Sequence, residues 1–404
     1  GGMRENKTKI LITFLHYHTG GATTSLLNFL QELDYEKYDV DLLFYEYDGQ
    51  ADDRIPKQVH VLPQAKVHNK FSLKNVLGKV FSPSYVAAKV RAEFYKRILG
   101  REKKGIQIIS KQGCRYSRRL GEEYDVAISY ELSWPFNYTA SYVKAKKKLL
   151  WLHLDFDASG LDYKVDRKNL EKFDKIMVVS RQCLANFVQN HPEMKDKCIY
   201  MPNLMSQKYV RTAAQKQVSL PFCPEGNRLS LVTVCRIDFP HKGLDRGMKA
   251  LCALKNEGLL SGVTWLIVGD GPDSAALNQM ILEFGLSDTV FAIGLRENPM
   301  PYVAACDVFF LPSRFEGKPM AVTEAQMAGV VPAVTRYASA QEQITNGEDG
   351  YIFDNSDEGI YAGLNYLVQH TEDVKGLKQK VWNTNFGNEN EIKIFNECLE
   401  ELQK

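Results

Sequence analysis

The sequence has little that would tie it to a metal scaffold, a membrane span or a nucleic acid. Its eight cysteines are scattered and include no CxxC pair, which argues against a structural zinc site or a disulfide framework and favours reduced cytosolic thiols. No apolar run approaches the roughly 20 residues needed to cross a bilayer. The run ILITFL near the start is too short for a signal segment and leads straight into a glycine loop. Lys plus Arg number 51 against 49 Asp plus Glu, so no whole-protein charge implies a polyanionic partner. There is no low-complexity tract, no short-period repeat and no GxGxxG spacing, and with the last goes the nicotinamide fingerprint. The expectation is a cytoplasmic protein whose membrane role, if it has one, is peripheral at the inner face.

What the chain does have is alternation. At 404 residues it is long enough for two or three domains with sizeable cores. Strand-like and helix-like runs alternate throughout, the pattern of an α/β fold. In the first half KILITFL (9–15) is followed by the glycine loop HYHTGGA and the helix-like TTSLLNFLQEL. YDVDLLFY, QVHVLP, YDVAISY (124–130), KKLLWLH (147–153), DKIMVVS (174–180) and CIYMPN (198–203) continue that series. Residues 206–227 are polar, carry Pro221, Pro224 and Gly226, and read as a linker. A second series runs through LSLVTVCRI, VTWLIVGDGP, TVFAIG, DVFFLPS, VVPAVT and GYIFD, and the final 30 residues read as helix. Two such series predict two doubly wound, Rossmann-like domains facing across a cleft. The first is expected over 1–205 and the second over 206–385, with 386–404 a terminal helix packing back on the first domain.

One segment breaks the even composition. Residues 66–119 hold 15 Lys or Arg and two acidic residues. Val86, Val90, Phe94 and Ile98 fall at i, i+4 spacing, so part of this insertion is a basic amphipathic helix. It is either a solvated charged face or a patch that sits on anionic lipid headgroups. No RNA or DNA motif accompanies the charge, so nucleic acid is not an expected partner.

The chemistry concentrates in SRFEGKPMAVTEAQMAG (313–329). DVFFLPS before it is a strand, Arg314–Lys318 a loop at its carboxyl end, Pro319 suits the first helical position and Gly329 the helix stop. Such loops line the ligand crevice of open α/β sheets. The amides of Met320, Ala321 and Val322 would point out of the helix N-terminus, where they suit a phosphate. Glu324 stands among apolar neighbours, and a buried carboxylate needs a partner; a ribose diol offers two donors. Glu316, in the loop, would face whatever lies beyond the phosphates. Arg236 and Lys242 follow the first strand of this half and can reach the same crevice, where fixed cations would stabilise a leaving diphosphate. VGDGP (268–272) is a second glycine loop, close enough to crowd a nucleotide.

In the first half, His16, His18 and the Gly20-Gly21 pair follow strand one, and a glycine turn at a helix start lets a ligand approach the backbone. His153 ends an apolar strand where side chains enter the crevice. Glu131, at the end of YDVAISY, points into the same crevice. Asp155-Phe156-Asp157 has the form DxD, a pattern that can hold a divalent metal. Three residues are a weak signal, and Arg236 and Lys242 already supply positive charge, so no metal is expected.

Arg236, Lys242-Gly243, Gly269-Asp270-Gly271-Pro272 and Glu316-x7-Glu324, in this order across 230–350, resemble the group 1 glycosyl transferases, family 4 of the glycosyltransferases. In character the match is to bacterial surface-polysaccharide enzymes. Gly20-Gly21, His153, Ser180 and Asn203 carry a fainter likeness in the first half. The resemblance implies the GT-B fold and retaining, metal-independent transfer from a nucleotide-diphosphate sugar, with UDP-sugars favoured. It implies no cofactor, since the nucleotide sugar is a substrate. Arg236 and Lys242 would bind the diphosphate, Glu324 the ribose, and Glu316 and His153 the donor sugar. Gly20 and Gly21 would lie against the phosphates and sugar. Gly269 and the Gly294, Leu295, Arg296 loop would flank the nucleotide, the latter beside the base. Gly317, Lys318 and Pro319, with the Met320, Ala321 and Val322 amides, would complete the donor-binding set. His16, His18 and Glu131 fall on the acceptor side. Cys235 stands where the family commonly has glycine, and Asn203-Leu204 where it usually has Asn-Gly; neither change removes a functional group.

The basic insertion suits a lipid-linked or cell-surface glycan acceptor at an anionic membrane, with a partner within a glycosyltransferase complex as a further prospect. The alternatives are a transferase acting on a soluble or protein acceptor, a nucleotide-sugar epimerase on the same fold, and a non-catalytic partner subunit. The intact Glu316, Glu324, Arg236 and Lys242 set speaks against the last.

Overall fold

The computed structural model describes residues 7–17, 21–47, 54–66, 83–98, 102–223, 226–316, 318–337 and 340–404. The chain divides into two units, 1–204 with 390–404, and 205–389. Each is built on a parallel sheet, as the apolar runs require: strands buried on both faces need no polar alternation.

In the first unit the strands are β1 (Thr8–His16), β2 (Tyr38–Glu46), β3 (His60–Val61), β4 (Glu123–Ser129), β5 (Lys144–Leu152), β6 (Lys175–Val178) and β7 (Cys198–Tyr200). Their order is β3-β2-β1-β4-β5-β6-β7, all parallel. The order reverses between β1 and β4, and the crevice of such a sheet opens at that switch point. The helix Ile392–Gln403 belongs to this unit. Its Phe395 is fully buried and meets Phe29 edge-on with ring centroids 5.0 Å apart, close to Tyr38 and Trp151.

The second unit holds β8 (Leu229–Val234), β9 (Val263–Val268), β10 (Val290–Ala292), β11 (Val308–Leu311), β12 (Val331–Thr335) and β13 (Tyr351–Phe353). Their order is β10-β9-β8-β11-β12-β13, again parallel, with the switch between β8 and β11. Trp265 anchors the core on one side of this sheet, and its indole N–H donates to Thr233 at 2.8 Å, so the one polar atom of the ring is satisfied in the interior. Both units are the doubly wound, Rossmann-like sheets expected of this α/β chain.

Three local expectations are corrected. The supposed linker begins with a helix, Gln207–Ala214, capped by Ser206 and burying Tyr209, Val210 and Ala213. The terminal helical run is broken after Asn383 and resumes at Ile392. The basic helix Pro83–Glu93 continues as a π-helical turn, Phe94–Ile98, which breaks the α register at Phe94. It buries Ala88 and Ala92, the latter so close to Gly105 of the helix Glu102–Gly113 that a Cβ there would lie 2.9 Å from the Ala92 carbonyl oxygen. Val86, Val90 and Phe94 are left on the outside at 44%, 64% and 47% exposure, beside exposed Lys89, Arg91, Lys96 and Arg97. Arg101 lies outside the described residues. No helix among the described residues is long and apolar enough to cross a membrane.

Candidate active site

The loops of the second unit converge at the carboxyl edge of its sheet. β8 delivers Arg236, β9 Gly269, β10 Gly294 and β11 the Arg314–Glu316 loop. The glycines of VGDGP are explained by backbone packing. Gly269 has φ 151°, and a Cβ there would stand 1.9 Å from the Cys235 carbonyl oxygen; one on Gly271 would stand 2.2 Å from that of Ile237. The Ile237 N–H donates to the Asp270 carbonyl at 3.0 Å. The glycines therefore zip the β9 loop onto the Arg236 loop.

Lys242 ends a four-residue helix, Phe239–Lys242, and Gly243 turns the chain at φ 64° into the helix Leu244–Asn256. A Cβ on Gly243 would lie 2.2 Å from the Pro312 carbonyl oxygen, so glycine lets the β8 and β11 loops touch. That contact brings Lys242 to Glu316. Lys242 Nζ donates to Glu316 Oε1 at 2.6 Å, and Ser313 Oγ donates to the same oxygen at 2.6 Å. Glu316 Oε2 faces His241 Nε2 at 3.6 Å. The Lys242 and Glu316 side chains are 16% and 7% exposed. Arg236 is exposed and, among the described residues, makes no hydrogen bond or ion pair. The two cations expected to act together thus differ: one is held by a carboxylate and one is open to solvent.

The loop is braced on its other side. Arg314 forks onto Asp245, with both N–H···O distances 2.8 Å, and also reaches the Phe239 carbonyl. Its backbone N–H donates to the His241 carbonyl at 2.8 Å. Asn355 Nδ2 donates to the Arg314 carbonyl at 2.8 Å, and Arg246 donates to Pro312 and Asn355. The Arg314–Asp245 pair, Ser313, His241 and Phe315 did not stand out in the sequence; the first had a signal in the opposite charges flanking the two motifs.

The helix Met320–Met327 starts one residue later than Pro319 suggested, with Pro319 as its cap residue at ψ 119°. Among the described residues no side-chain cap is made by Pro319, so the first amides keep the N-terminal dipole available to an anion. Val322 is buried, whereas Met320, Ala321 and Glu324 line a half-exposed face. Glu324 is therefore beside the apolar core rather than inside it. Lys318 is exposed and lies 3.7 Å from Glu342. Gly294 has φ 76°, Leu295 is exposed, and Arg296 reaches the Leu295 carbonyl and the Tyr302 hydroxyl. Gly317 lies outside the described residues.

In the first unit the carboxyl ends of β4, β5 and β7 form a second cluster. His153 Nε2 lies 2.8 Å from the Tyr130 carbonyl, and the Asn203 side chain also hydrogen-bonds the ring. Burial pushes the imidazole pKa down to about 4, so it is neutral at pH 7 and Nε2–H donates. Ser25 Oγ donates to Asn203 at 2.8 Å and lies 3.0 Å from the Tyr130 hydroxyl. Glu131 accepts from the Leu15 N–H at 3.0 Å, and burial pushes its pKa up to about 7. Ser133, two residues on, has φ 74°, the one non-glycine residue with positive φ among the described residues. Tyr130 and Ser25 were missed because neither belongs to a motif.

His16 lies 3.6 Å from Glu46, which also binds Lys66. His18 and Gly20 lie outside the described residues. Gly21 begins the helix Gly21–Glu32, and a Cβ there would meet open space. Asp155 and Asp157 are taken up locally. Asn186 donates to Asp155 at 2.6 Å, and Asn190 and His191 bind Asp157 at 2.9 and 3.0 Å.

Residues 226–382 match the glycosyl transferases group 1 family. An N-acetylgalactosamine-N,N'-diacetylbacillosaminyl-diphospho-undecaprenol 4-alpha-N-acetylgalactosaminyltransferase of Campylobacter jejuni is 25% identical over 52% of this chain and 54% of its own length. A UDP-Gal:alpha-D-GlcNAc-diphosphoundecaprenol alpha-1,3-galactosyltransferase of Escherichia coli is 31% identical over 28% of this chain and 30% of its own. The chain thus spans about half the length of the first relative and less of the second. HepE of Anabaena, solved with UDP and glucose, shares the fold at TM-score 0.59 and 15% identity, over 98% of this chain and 100% of that one.

Proposed function

Residues 226–382 belong to the group 1 glycosyl transferases and the two sheets form a GT-B fold, and from that premise we propose that the protein is a retaining glycosyltransferase. It moves a sugar from a nucleotide-diphosphate sugar, with UDP-sugars favoured, to a lipid-linked or cell-surface polysaccharide acceptor. The observation that carries the reading is the Lys242–Glu316–Ser313 cluster below the uncapped helix at Met320, with Arg236 open beside it in sequence.

The diphosphate sits at the helix N-terminus against Arg236 and Lys242. Glu316 holds Lys242 in place until phosphate oxygens share it, and its carboxylate then grips a hydroxyl of the donor sugar. Glu324 accepts from the ribose diol. The acceptor hydroxyl attacks the anomeric carbon from the face of the leaving group. As the carbon–oxygen bond to the diphosphate breaks and the new glycosidic bond forms, a phosphate oxygen takes the acceptor proton, and the configuration is retained. Fixed cations stabilise the charge that develops on the diphosphate. No step needs a metal.

The acceptor class is supported by the relatives, whose names specify diphospho-undecaprenol substrates, and by the exposed Val86, Val90 and Phe94 among basic residues. Such a stripe suits an anionic headgroup region. The protein is then peripheral at a membrane surface. Thermal shift with nucleoside diphosphates, followed by hydrolysis assays with nucleotide sugars in EDTA, tests the reading. A melting temperature unmoved by any nucleoside diphosphate would count against it.

A further inference from the structure

We infer that the outer face of Phe315 is a stacking platform for a pyranose ring bound beside Glu316; this rests on the nucleotide-sugar reading above. Phe315 is 60% exposed, more than Phe94, Trp382 or Tyr366. Its inner face lies on the His241 imidazole, with ring centroids 4.3 Å apart and planes 6° apart. The residues on either side are fixed. Arg314 is tied to Asp245, Phe239, His241 and Asn355, and Glu316 to Lys242 and Ser313. Among the described residues its neighbours are pinned and His241 fills the inner side, which leaves the outer face of the phenyl ring in solvent. The loop spends its hydrogen bonds holding an apolar ring in water next to a carboxylate.

That pairing has a chemical match. One face of a pyranose presents C–H bonds and its rim presents hydroxyls. The C–H face suits the negative face of an aromatic ring, and a rim hydroxyl suits Glu316. A nucleobase suits the ring too, but topology separates it: the loop expected beside the base follows β10 at the sheet edge, and Phe315 follows β11, three positions along the order β10-β9-β8-β11. The platform therefore lies at the sugar end of the site. The pyranose is that of the donor or the terminal sugar of the acceptor.

The test uses the full chain with Phe315→Leu, which keeps an apolar side chain, and Phe315→Tyr, which keeps the ring. Three constants are measured: the Kd for UDP, the KM for a UDP-sugar in hydrolysis, and the KM for a sugar-diphospho-undecaprenol in transfer. Phe315→Leu should raise one of the two KM values about two- to twelvefold, the range set by one aromatic contact. The donor KM moves if the ring carries the donor sugar, and the acceptor KM if it carries the acceptor. Phe315→Tyr should keep both, and UDP affinity should hold in every variant. Unchanged KM values in Phe315→Leu overturn the inference while leaving the transferase reading intact. A parallel loss of UDP affinity overturns it as a base contact. A wild type that binds no nucleoside diphosphate sinks both.

Discussion

Lys242→Ala separates the structural and chemical roles of one buried charge pair. The Lys242 Nζ to Glu316 Oε1 distance is 2.6 Å, with the two side chains 16% and 7% exposed. At an effective dielectric of about 20, the Coulomb attraction at that distance is about 6 kcal/mol. Desolvation of both ions returns much of this, and removing one partner of a buried pair usually costs about 3–5 kcal/mol. Here Ser313 Oγ still donates to Glu316, so the lower end, about 3 kcal/mol, is expected. For a unit of this size that is a fall in Tm of roughly 5–10 °C. Turnover should drop about 10²-fold or more, the scale for one transition-state charge contact. Adding Glu316→Gln to Lys242→Ala removes the stranded charge, so Tm should recover most of its loss while turnover stays low. Melting curves and donor hydrolysis on the single and double variants decide the matter. A double variant as unstable as the single, or a single variant with wild-type turnover, refutes the reasoning.

Other consequences follow from the same geometry. Glu324→Ala should weaken UDP binding by calorimetry with Tm nearly unchanged, because Glu324 lies on the half-exposed face of its helix; a Tm loss with intact UDP affinity would make it a structural residue. The Glu131 pKa is raised to about 7, so between the ordinary carboxylate range and pH 7 the folded state binds more protons than the unfolded one. Stability should fall as pH rises through that window, by at most about 3 kcal/mol. Glu131→Gln should therefore raise Tm at pH 8 and leave it alone at pH 4; equal shifts at both would contradict this. Reversing Lys89, Arg91, Lys96 and Arg97 should abolish low-salt binding to anionic liposomes, at about 1 kcal/mol per charge, and spare donor hydrolysis. Undiminished binding would leave the segment a solvated face.

The strands were legible because parallel sheets bury both faces, so runs such as VTWLIV and DVFFL have no other home. The Gln207–Ala214 helix was hidden by the prolines and glycine after it, although Ser206 at the cap and Tyr209, Val210 and Ala213 carried its signal. The site residues were visible as charged types at strand ends, but their partners were not. Lys242 meets Glu316 across 74 positions, a contact set by Gly243 against Pro312 that no local pattern encodes. The same holds for Asp155 and Asp157, whose DxD form can hold a metal and whose side-chain partners Asn186, Asn190 and His191 lie on the helix Arg181–Asn190 and its cap residue.

The anomeric configuration of the product tests retaining transfer most directly. Wild-type protein is incubated in EDTA with a UDP-α-sugar and a sugar-diphospho-undecaprenol in vesicles, and the new linkage is read by proton NMR. Retaining, metal-independent transfer predicts an α-linked product formed without added metal. A β-linked product, or turnover that appears only when manganese or magnesium is restored, would contradict it.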